Sequence, residues 1–107
     1  MSDTKLILIE ARQKISEGWT QRAYARMSNE VDDGGKVSAD SRLATCWCVM
    51  GALVAVTPDL VRYDQALDTI MGIIGEKHTG DIIDWNDDPA RTQEEVLELF
   101  DRAIATC

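Results

Sequence analysis

Apolar side chains recur at helical spacing near the start of the chain. Leu8, Ala11 and Ile15 are separated by three or four residues, which places them on one face of a helix. Gly18 comes directly after this pattern, and glycine commonly ends a helix because it adopts left-handed backbone angles without strain. The spacing therefore predicts a first helix over residues 4–17.

The helical pattern breaks after this segment. Trp19 follows the glycine, and we expect its ring to fold back onto the first helix. Residues 20–27 allow one short helical turn, whereas the polar and acidic residues 29–36 predict a loop.

The longest apolar stretch, residues 43–56, predicts the centre of the fold. Trp47 and Met50 belong to one helical stripe, and the apolar residues beside them widen it until the helix is apolar nearly all round. We therefore expect a central helix over about residues 41–56. Gly51 within it disfavours a helix by ~1 kcal/mol relative to alanine, so its expected use is to let a neighbouring helix approach closely.

Two later segments also have helical periodicity. Leu67, Ile70 and Ile74 predict a helix over about residues 64–75. Farther along, Thr92-Gln-Glu-Glu95 has the spacing of a capping box, and apolar residues then recur at helical spacing to residue 104. Because no strand pair has a hairpin signal, the prediction is a single all-helical domain, residues 1–107. Its expected fold is all-α, a compact bundle of four to five helices around the central helix.

The distribution of charge indicates which partners to expect. The chain has 107 residues, of which 45% are hydrophobic and 28% charged, as in an ordinary globular domain. Its net charge is −8, and residues 81–107 carry eight acidic and two basic side chains. Nucleic acids bind through an excess of lysine and arginine, so direct nucleic-acid binding is not expected. An acidic face can instead meet a basic partner protein.

Three features predict a cytoplasmic protein that does not enter a membrane. The apolar stretch 43–56 is shorter than the ~20 residues that a transmembrane helix needs. The amino-terminal residues do not have the pattern of a secretory signal. Cys46, Cys48 and Cys107 are an odd number of thiols, which indicates reduced cysteines.

Residues 84–95 raise the question of a calcium site. Oxygen-bearing side chains fall at the first, third, fifth, ninth and twelfth places of this segment: Asp84, Asn86, Asp88, Thr92 and Glu95. The sixth place, where a calcium-binding EF-hand loop has glycine, is Pro89, whose fixed φ prevents the usual wrapping around an ion. We therefore interpret the segment as the polar entrance to the last helix.

Other candidate chemistry has a simpler structural interpretation. Three cysteines and one histidine are enough in number for zinc, but their spacing fits no known zinc module. On a helix, Cys46 and Cys48 would project in different directions. His78 lies in a polar turn where a solvated side chain is expected, with a catalytic base as the second interpretation. We therefore predict no catalytic residue, no cofactor or cofactor-binding residue, and no metal ligand.

Three short motifs resemble those of a family of small bacterial and phage proteins of unknown function. They are W-C-x-x-G-A-L at residues 47–53, W-N-D-x-P-x-R-T-x-x-E-V-L at residues 85–97, and G-W-T-Q at residues 18–21. The resemblance implies no activity. It separates Asn86, Asp87 and Arg91, which match the pattern, from Asp84 and Asp88, which lie at its free positions.

These observations favour binding over catalysis. We expect a small protein-interaction or regulatory module, encoded on a phage or mobile element, with an unidentified protein partner or with a second copy of itself. The candidate contact residues are Trp85, Asn86, Asp87 and Arg91. The alternative is a small-molecule-binding protein or an enzyme with a polar site around residues 85–91.

Overall fold

The chain forms five helices and three short strands in the residues that the computed structural model describes. These are residues 3–27, 36–57, 59–75 and 79–107, without the side chains of 79–81. In chain order the elements are α1 (Asp3–Glu17), β1 (Ala25–Arg26), β2 (Lys36–Val37), β3 (Cys46–Trp47), α2 (Val49–Val56), α3 (Leu60–Ile74), α4 (Thr79–Asp87) and α5 (Gln93–Ala105). Within these residues, no helix is both long enough and apolar enough to cross a membrane.

The first and last helices pack against each other and form much of the core. Leu8, Ala11 and Ile15 of α1 are buried, as their spacing predicts, and Phe100 of α5 is also buried. The side chain of Gln93 donates to the carbonyl oxygen of Ile15 at 2.7 Å, so the start of α5 is attached to the end of α1. The predicted first helix is confirmed.

The capping box at the start of α5 is also confirmed. The hydroxyl of Thr92 accepts from the amide of Glu95 at 3.2 Å, and the Glu95 carboxylate accepts from the amide of Thr92 at 3.0 Å. These two bonds satisfy amide groups that have no partner inside the helix. The polar residues before α5 therefore start the helix, as the sequence predicts.

The predicted central helix over residues 41–56 is wrong in its first half. Helix α2 begins only at Val49, and Cys46–Trp47 is the strand β3. A continuous apolar run does not distinguish a buried strand from a buried helix, because both exclude water on every side. Cys46 and Cys48 are therefore not on a helix: Cys46 lies in β3, and the Cys48 thiol caps α2 by accepting from the amide of Gly51 at 3.2 Å.

The described residues are mostly helical and form five helices, in agreement with the main part of the all-α expectation, but they also contain a small antiparallel sheet of order β2-β1-β3. Ala25 pairs with Val37 on one side and with Trp47 on the other. The short helical turn expected in residues 20–27 is absent, because residues 21–24 form bends and Ala25–Arg26 is the strand β1. The strands are two residues each and far apart in sequence. They are therefore too short to show alternating apolar and polar residues, and no hairpin turn connects them.

Gly51 permits a close approach, but not by a helix. A β-carbon at this position would overlap the carbonyl group of Tyr24, which lies just before β1. The amide of Cys48 donates to the same Tyr24 carbonyl oxygen at 3.2 Å. The glycine therefore lets extended backbone lie directly on the first turn of α2, where any larger residue would push it away.

Helix α3 begins four residues earlier than the predicted start at residue 64. Asp59 caps it by accepting from the amide of Arg62 at 2.9 Å, and Gly75 ends it with a left-handed φ of 87°. Leu60 and Val61 are 78% and 68% exposed, so the first turn has no buried face to produce a periodic pattern. The expected loop at residues 29–36, apart from Lys36, and the expected solvated His78 lie outside the described residues.

Candidate functional site

Asn86, in the last turn of α4, uses its whole side-chain amide inside the protein. Its Oδ1 accepts from the indole of Trp19 at 2.9 Å and from the amide of Val49 at 3.1 Å. Its Nδ2 donates to the carbonyl oxygen of Thr20 at 3.1 Å and to the Asp87 carboxylate at 3.0 Å. These four bonds use every donor and acceptor that the amide has. The side chain thereby joins α4 to the start of α2 and to the segment that follows α1.

The G-W-T-Q segment makes further contacts to the same turn. Gln21 donates from Nε2 to the carbonyl oxygens of Asn86 at 2.9 Å and Asp88 at 2.7 Å. These carbonyl groups lie at the end of α4, where intrahelical partners are lacking. The Asp87 carboxylate accepts from the backbone amide of Arg22 at 2.9 Å. Two motifs that are 65 or more residues apart in sequence therefore form one hydrogen-bonded unit.

The third motif completes this unit through backbone bonds. The amide of Trp47 donates to the carbonyl oxygen of Gly18 at 3.0 Å, and the amide of Thr20 donates to the Trp47 carbonyl oxygen at 3.1 Å. A β-carbon on Gly18 would overlap the carbonyl oxygen of Thr45, so glycine is required for this approach. We call the three joined segments, residues 18–22, 46–51 and 85–88, the motif junction.

A cavity of about 320 Å³ opens at the motif junction. We call it the Arg22 pocket. Its lining residues are Arg22, Ala23, Tyr24, Cys48, Met50, Ile83, Asn86 and Asp87. Arg22 has a φ of 63°, which residues other than glycine seldom adopt, and the bond from its amide to Asp87 holds this conformation. Such unusual backbone angles occur often at functional sites.

The thiol of Cys48 in this pocket is a poor nucleophile. Burial raises its pKa to about 11, and the nearby Asp87 carboxylate adds to the increase. A cysteine nucleophile acts as the thiolate, which is scarce at neutral pH when the pKa is this high. The thiol therefore serves as the cap of α2 and as part of the pocket wall.

Trp85 and Arg91 lie at a second cavity, of about 240 Å³. We call it the Trp85 groove. It is lined by Ile73, Ile74, Trp85, Arg91, Glu95, Glu98, Leu99 and Arg102. The Arg91 guanidinium stacks on the indole at 3.8 Å from the ring centroid, and its Nε donates to the Trp85 carbonyl oxygen at 2.9 Å. Its Nη1 bonds the Glu95 carboxylate at 3.3 Å, and its Nη2 lies 4.0 Å from the Asp88 carboxylate.

The four candidate contact residues thus divide between two cavities. Asn86 and Asp87 line the Arg22 pocket, and Trp85 and Arg91 line the Trp85 groove. Asn86 is only 1% exposed and fully bonded, so in this conformation it supports the site and does not offer a polar group to a partner. The contact role of the other three remains a prediction.

Comparison with known families identifies the chain. The model of a family of unknown function, DUF6197, matches residues 1–106. The chain belongs to the DUF6197 family. Its expected membership of a family of unknown function is therefore confirmed. No curated protein and no solved structure matches it.

In this DUF6197 chain two of the apparent calcium ligands, Asp88 and Glu95, are bonded to neighbouring groups of the same segment. Asp88 accepts from the amide of Ala90 at 2.9 Å, and Glu95 is occupied by the capping box and by Arg91. A turn closes as the Arg91 amide donates to the Asp88 carbonyl oxygen at 2.8 Å. Throughout the described ranges, no three histidine, cysteine or acidic side chains gather as a metal ion would require.

Of the residues that line the Arg22 pocket, sequence reasoning named only Asn86 and Asp87 as candidate contacts. It missed the other six: Arg22, Ala23, Tyr24, Cys48, Met50 and Ile83. Arg22 directly follows the G-W-T-Q motif, and this adjacency was the one available signal. Its left-handed backbone has no signature in the residue type, because arginine seldom adopts such angles. Tyr24 reaches the pocket only because β1 is extended, and that strand was not predicted.

Proposed function

We propose that this DUF6197 protein is a small cytoplasmic interaction module that binds a basic partner protein at the Trp85 groove. The observation that carries the proposal is the composition of that groove. It combines a half-buried indole, a guanidinium stacked on it and a rim of carboxylates. Tryptophan and arginine are the residues that most often contribute a large share of binding energy at protein interfaces.

The charge of the carboxy-terminal part of the chain selects the partner. Two carboxylates, Glu95 and Glu98, and two guanidinium groups, Arg91 and Arg102, line the groove. Arg91 is engaged by Glu95, whereas Glu98 is exposed and forms no ion pair with another described residue. Residues 81–107 carry eight acidic and two basic side chains, and this acidic excess favours encounter with a positively charged protein surface.

The family resemblance to bacterial and phage proteins suggests a setting for such a module. An acidic protein encoded on a phage or mobile element can occupy the basic groove of a host nucleic-acid-binding protein. In that case the carboxylates of α5 take the place of backbone phosphates. This version of the proposal requires binding that weakens steeply as salt rises, because exposed charges are screened within ~10 Å at 0.1 M salt.

Affinity capture from the native host tests the proposal. We expect the wild-type chain to retain a basic protein at low salt and to release it at high salt. Glu98→Lys, which reverses one charge in the groove, should abolish capture. Glu10→Lys makes the same change at an exposed α1 residue that lines none of the cavities described above, and it should leave capture intact. Salt-insensitive capture, or equal loss in both variants, would contradict the proposal.

The Arg22 pocket favours a second candidate function, the binding of a small molecule. Its volume of about 320 Å³ lies at the lower end of the range of ligand sites. Asp87, one of the residues expected for such a site, lines it. The two candidate functions use different surfaces, so each can be tested without the other.

A further inference from the structure

We propose that the Arg22 pocket binds a small zwitterion with an apolar body, of the class of free amino acids with an apolar side chain. The ligand's ammonium group would meet the Asp87 carboxylate, and its carboxylate would meet the Arg22 guanidinium. The proposal deepens the second candidate function and is independent of the partner expected at the Trp85 groove.

The Asp87 carboxylate has a fixed orientation, but only one of its two oxygens accepts hydrogen bonds from described residues. Its Oδ1 accepts from the amide of Arg22 at 2.9 Å and from Asn86 Nδ2 at 3.0 Å. Its Oδ2 makes no hydrogen bond to any described residue. An ionised carboxylate has acceptor sites on both oxygens, so Oδ2 can accept from an ammonium group. Two short bonds therefore orient the carboxylate for a third partner.

Arg22 contributes the opposite charge without pairing with Asp87. Both residues line the same cavity, yet within the described part of the chain no ion pair involves Arg22. The left-handed backbone at Arg22 is held by Asp87 itself, through the amide bond. Opposite charges that share a pocket and do not neutralise each other leave one site for a cation and one for an anion.

The rest of the pocket wall is neutral and mostly apolar. Asn86 has no free donor or acceptor, and the raised pKa of Cys48 keeps its thiol uncharged. Ala23, Met50 and Ile83 supply apolar surface, together with Tyr24. A simple amine would leave Arg22 without a counter-charge, and a simple acid would do the same to Asp87. A zwitterion with an apolar side chain satisfies both charged groups and the apolar wall.

Leucine is the probe, with isoamylamine and 4-methylpentanoate as analogues that keep the apolar body and lack the carboxylate or the ammonium group. Titration of the ¹⁵N-labelled full chain should give saturable amide shifts at Arg22, Tyr24 and Asp87 with leucine. Each analogue should bind about tenfold or more weakly, since each loses one charge-assisted contact. An analogue that binds as tightly as leucine would overturn the assignment of the two charges.

Substitutions at Asp87 and Arg22 test the two charged residues, with Arg22→Lys as the conservative control at Arg22. Asp87→Asn keeps an Oδ1 acceptor for both structural bonds and removes the charge, so the fold should persist while leucine affinity falls by about tenfold. Arg22→Gln should cause a similar loss, and Arg22→Lys should restore much of the binding. The spectrum of each free variant shows whether it is folded.

The outcomes separate the ligand class from the broader function. Absence of shifts with leucine and with both analogues would overturn the zwitterion proposal and the small-molecule function together. Saturable binding of one analogue alone would overturn the zwitterion proposal and leave a ligand site of the other chemistry. If leucine affinity is unchanged in both Asp87→Asn and Arg22→Gln, leucine binds at another site, and the proposal for the Arg22 pocket is wrong.

Discussion

Trp85 and Asn86 are neighbours in the chain, and their side chains leave the last turn of α4 in different directions. Asn86 points inward, is 1% exposed and makes four hydrogen bonds, three of which reach two other segments of the chain. Trp85 lines an open groove, and its main polar contact is the stacked Arg91. One short motif therefore serves two purposes. Its inner side holds the motif junction together, and its outer side presents a surface.

The difference teaches how to interpret the motif residues of a protein without a known activity. Asn86, Gln21, Gly18 and Gly51 are each explained by a structural contact that another residue type would lose. Arg22 and Glu98, which line the two cavities, carry charges that form no ion pair with another described residue. Stability should therefore respond strongly to changes at the inner side of the α4 turn and weakly to changes at the outer side.

The largest effect is expected at Asn86. Asn86→Ala should lower the free energy of unfolding by about 4 kcal/mol, because several buried groups lose their partner at ~1–3 kcal/mol each. Urea denaturation followed by circular dichroism measures the change. A loss below about 1 kcal/mol would mean that water or a shifted backbone replaces these bonds, and that the inner side is not the stronger one.

Gly51 provides the next largest effect, with a matched control. Gly51→Ala should destabilise the protein by about 3 kcal/mol, because the added methyl group meets the Tyr24 carbonyl group. Gly72→Ala places the same methyl group on α3, with no atom of the described chain within 4 Å. It should stabilise the protein by about 0.5–1 kcal/mol through helix propensity. Thermal melts of the two variants should therefore move in opposite directions, and equal shifts would refute the close approach.

A smaller effect is expected at the entrance to α5. Thr92→Ala removes one half of the capping box and should cost about 1 kcal/mol in the free energy of unfolding. Thr92→Ser keeps the hydroxyl acceptor and should cost much less. Calorimetry of the wild-type chain with and without calcium completes the test. A calcium-dependent shift of the melting temperature would contradict the interpretation of residues 84–95 as a helix entrance.

The smallest effect is expected at the outer side of the α4 turn. Arg91→Ala should lower the free energy of unfolding by at most about 1 kcal/mol, because it loses the cation–π contact and a hydrogen bond to the Trp85 carbonyl oxygen that water can replace. Arg91→Lys should recover part of this, because lysine keeps the charge but lacks the planar group that stacks. Urea denaturation of both variants checks the values. A loss as large as that of Asn86→Ala would remove the contrast between the two sides.

The elements that could be predicted from sequence are those whose signal is local. Thr92 and Glu95 define the start of α5 because both partners of the capping box lie within four residues. The spacing of Leu8, Ala11 and Ile15 defines α1 because one face of that helix is buried. Local signals of this kind depend only on the segment that carries them.

The rest depends on contacts between distant segments. Cys46–Trp47 is a strand because Ala25–Arg26 lies beside it, and nothing within the apolar run indicates that neighbour. Asparagine is a residue type that is common in turns, so the sequence does not indicate that Asn86 is buried. Its side chain is buried because Trp19, Thr20 and Val49 lie around it and bond to it. The family motif singled out Asn86 and Asp87 from the sequence alone. The pocket that they line together with Arg22 and Tyr24 could be found only from the three-dimensional structure.

Amide hydrogen exchange at Val49 tests the central claim most directly. The first amide of a helix has no intrahelical partner and normally exchanges fast. In this protein the Val49 amide donates to Asn86 Oδ1 at 3.1 Å, whereas Leu60, the first residue of α3, has no such bond to any described residue and is 78% exposed. We predict strong protection at Val49 and rapid exchange at Leu60. Equally rapid exchange at both amides would contradict the role given to Asn86.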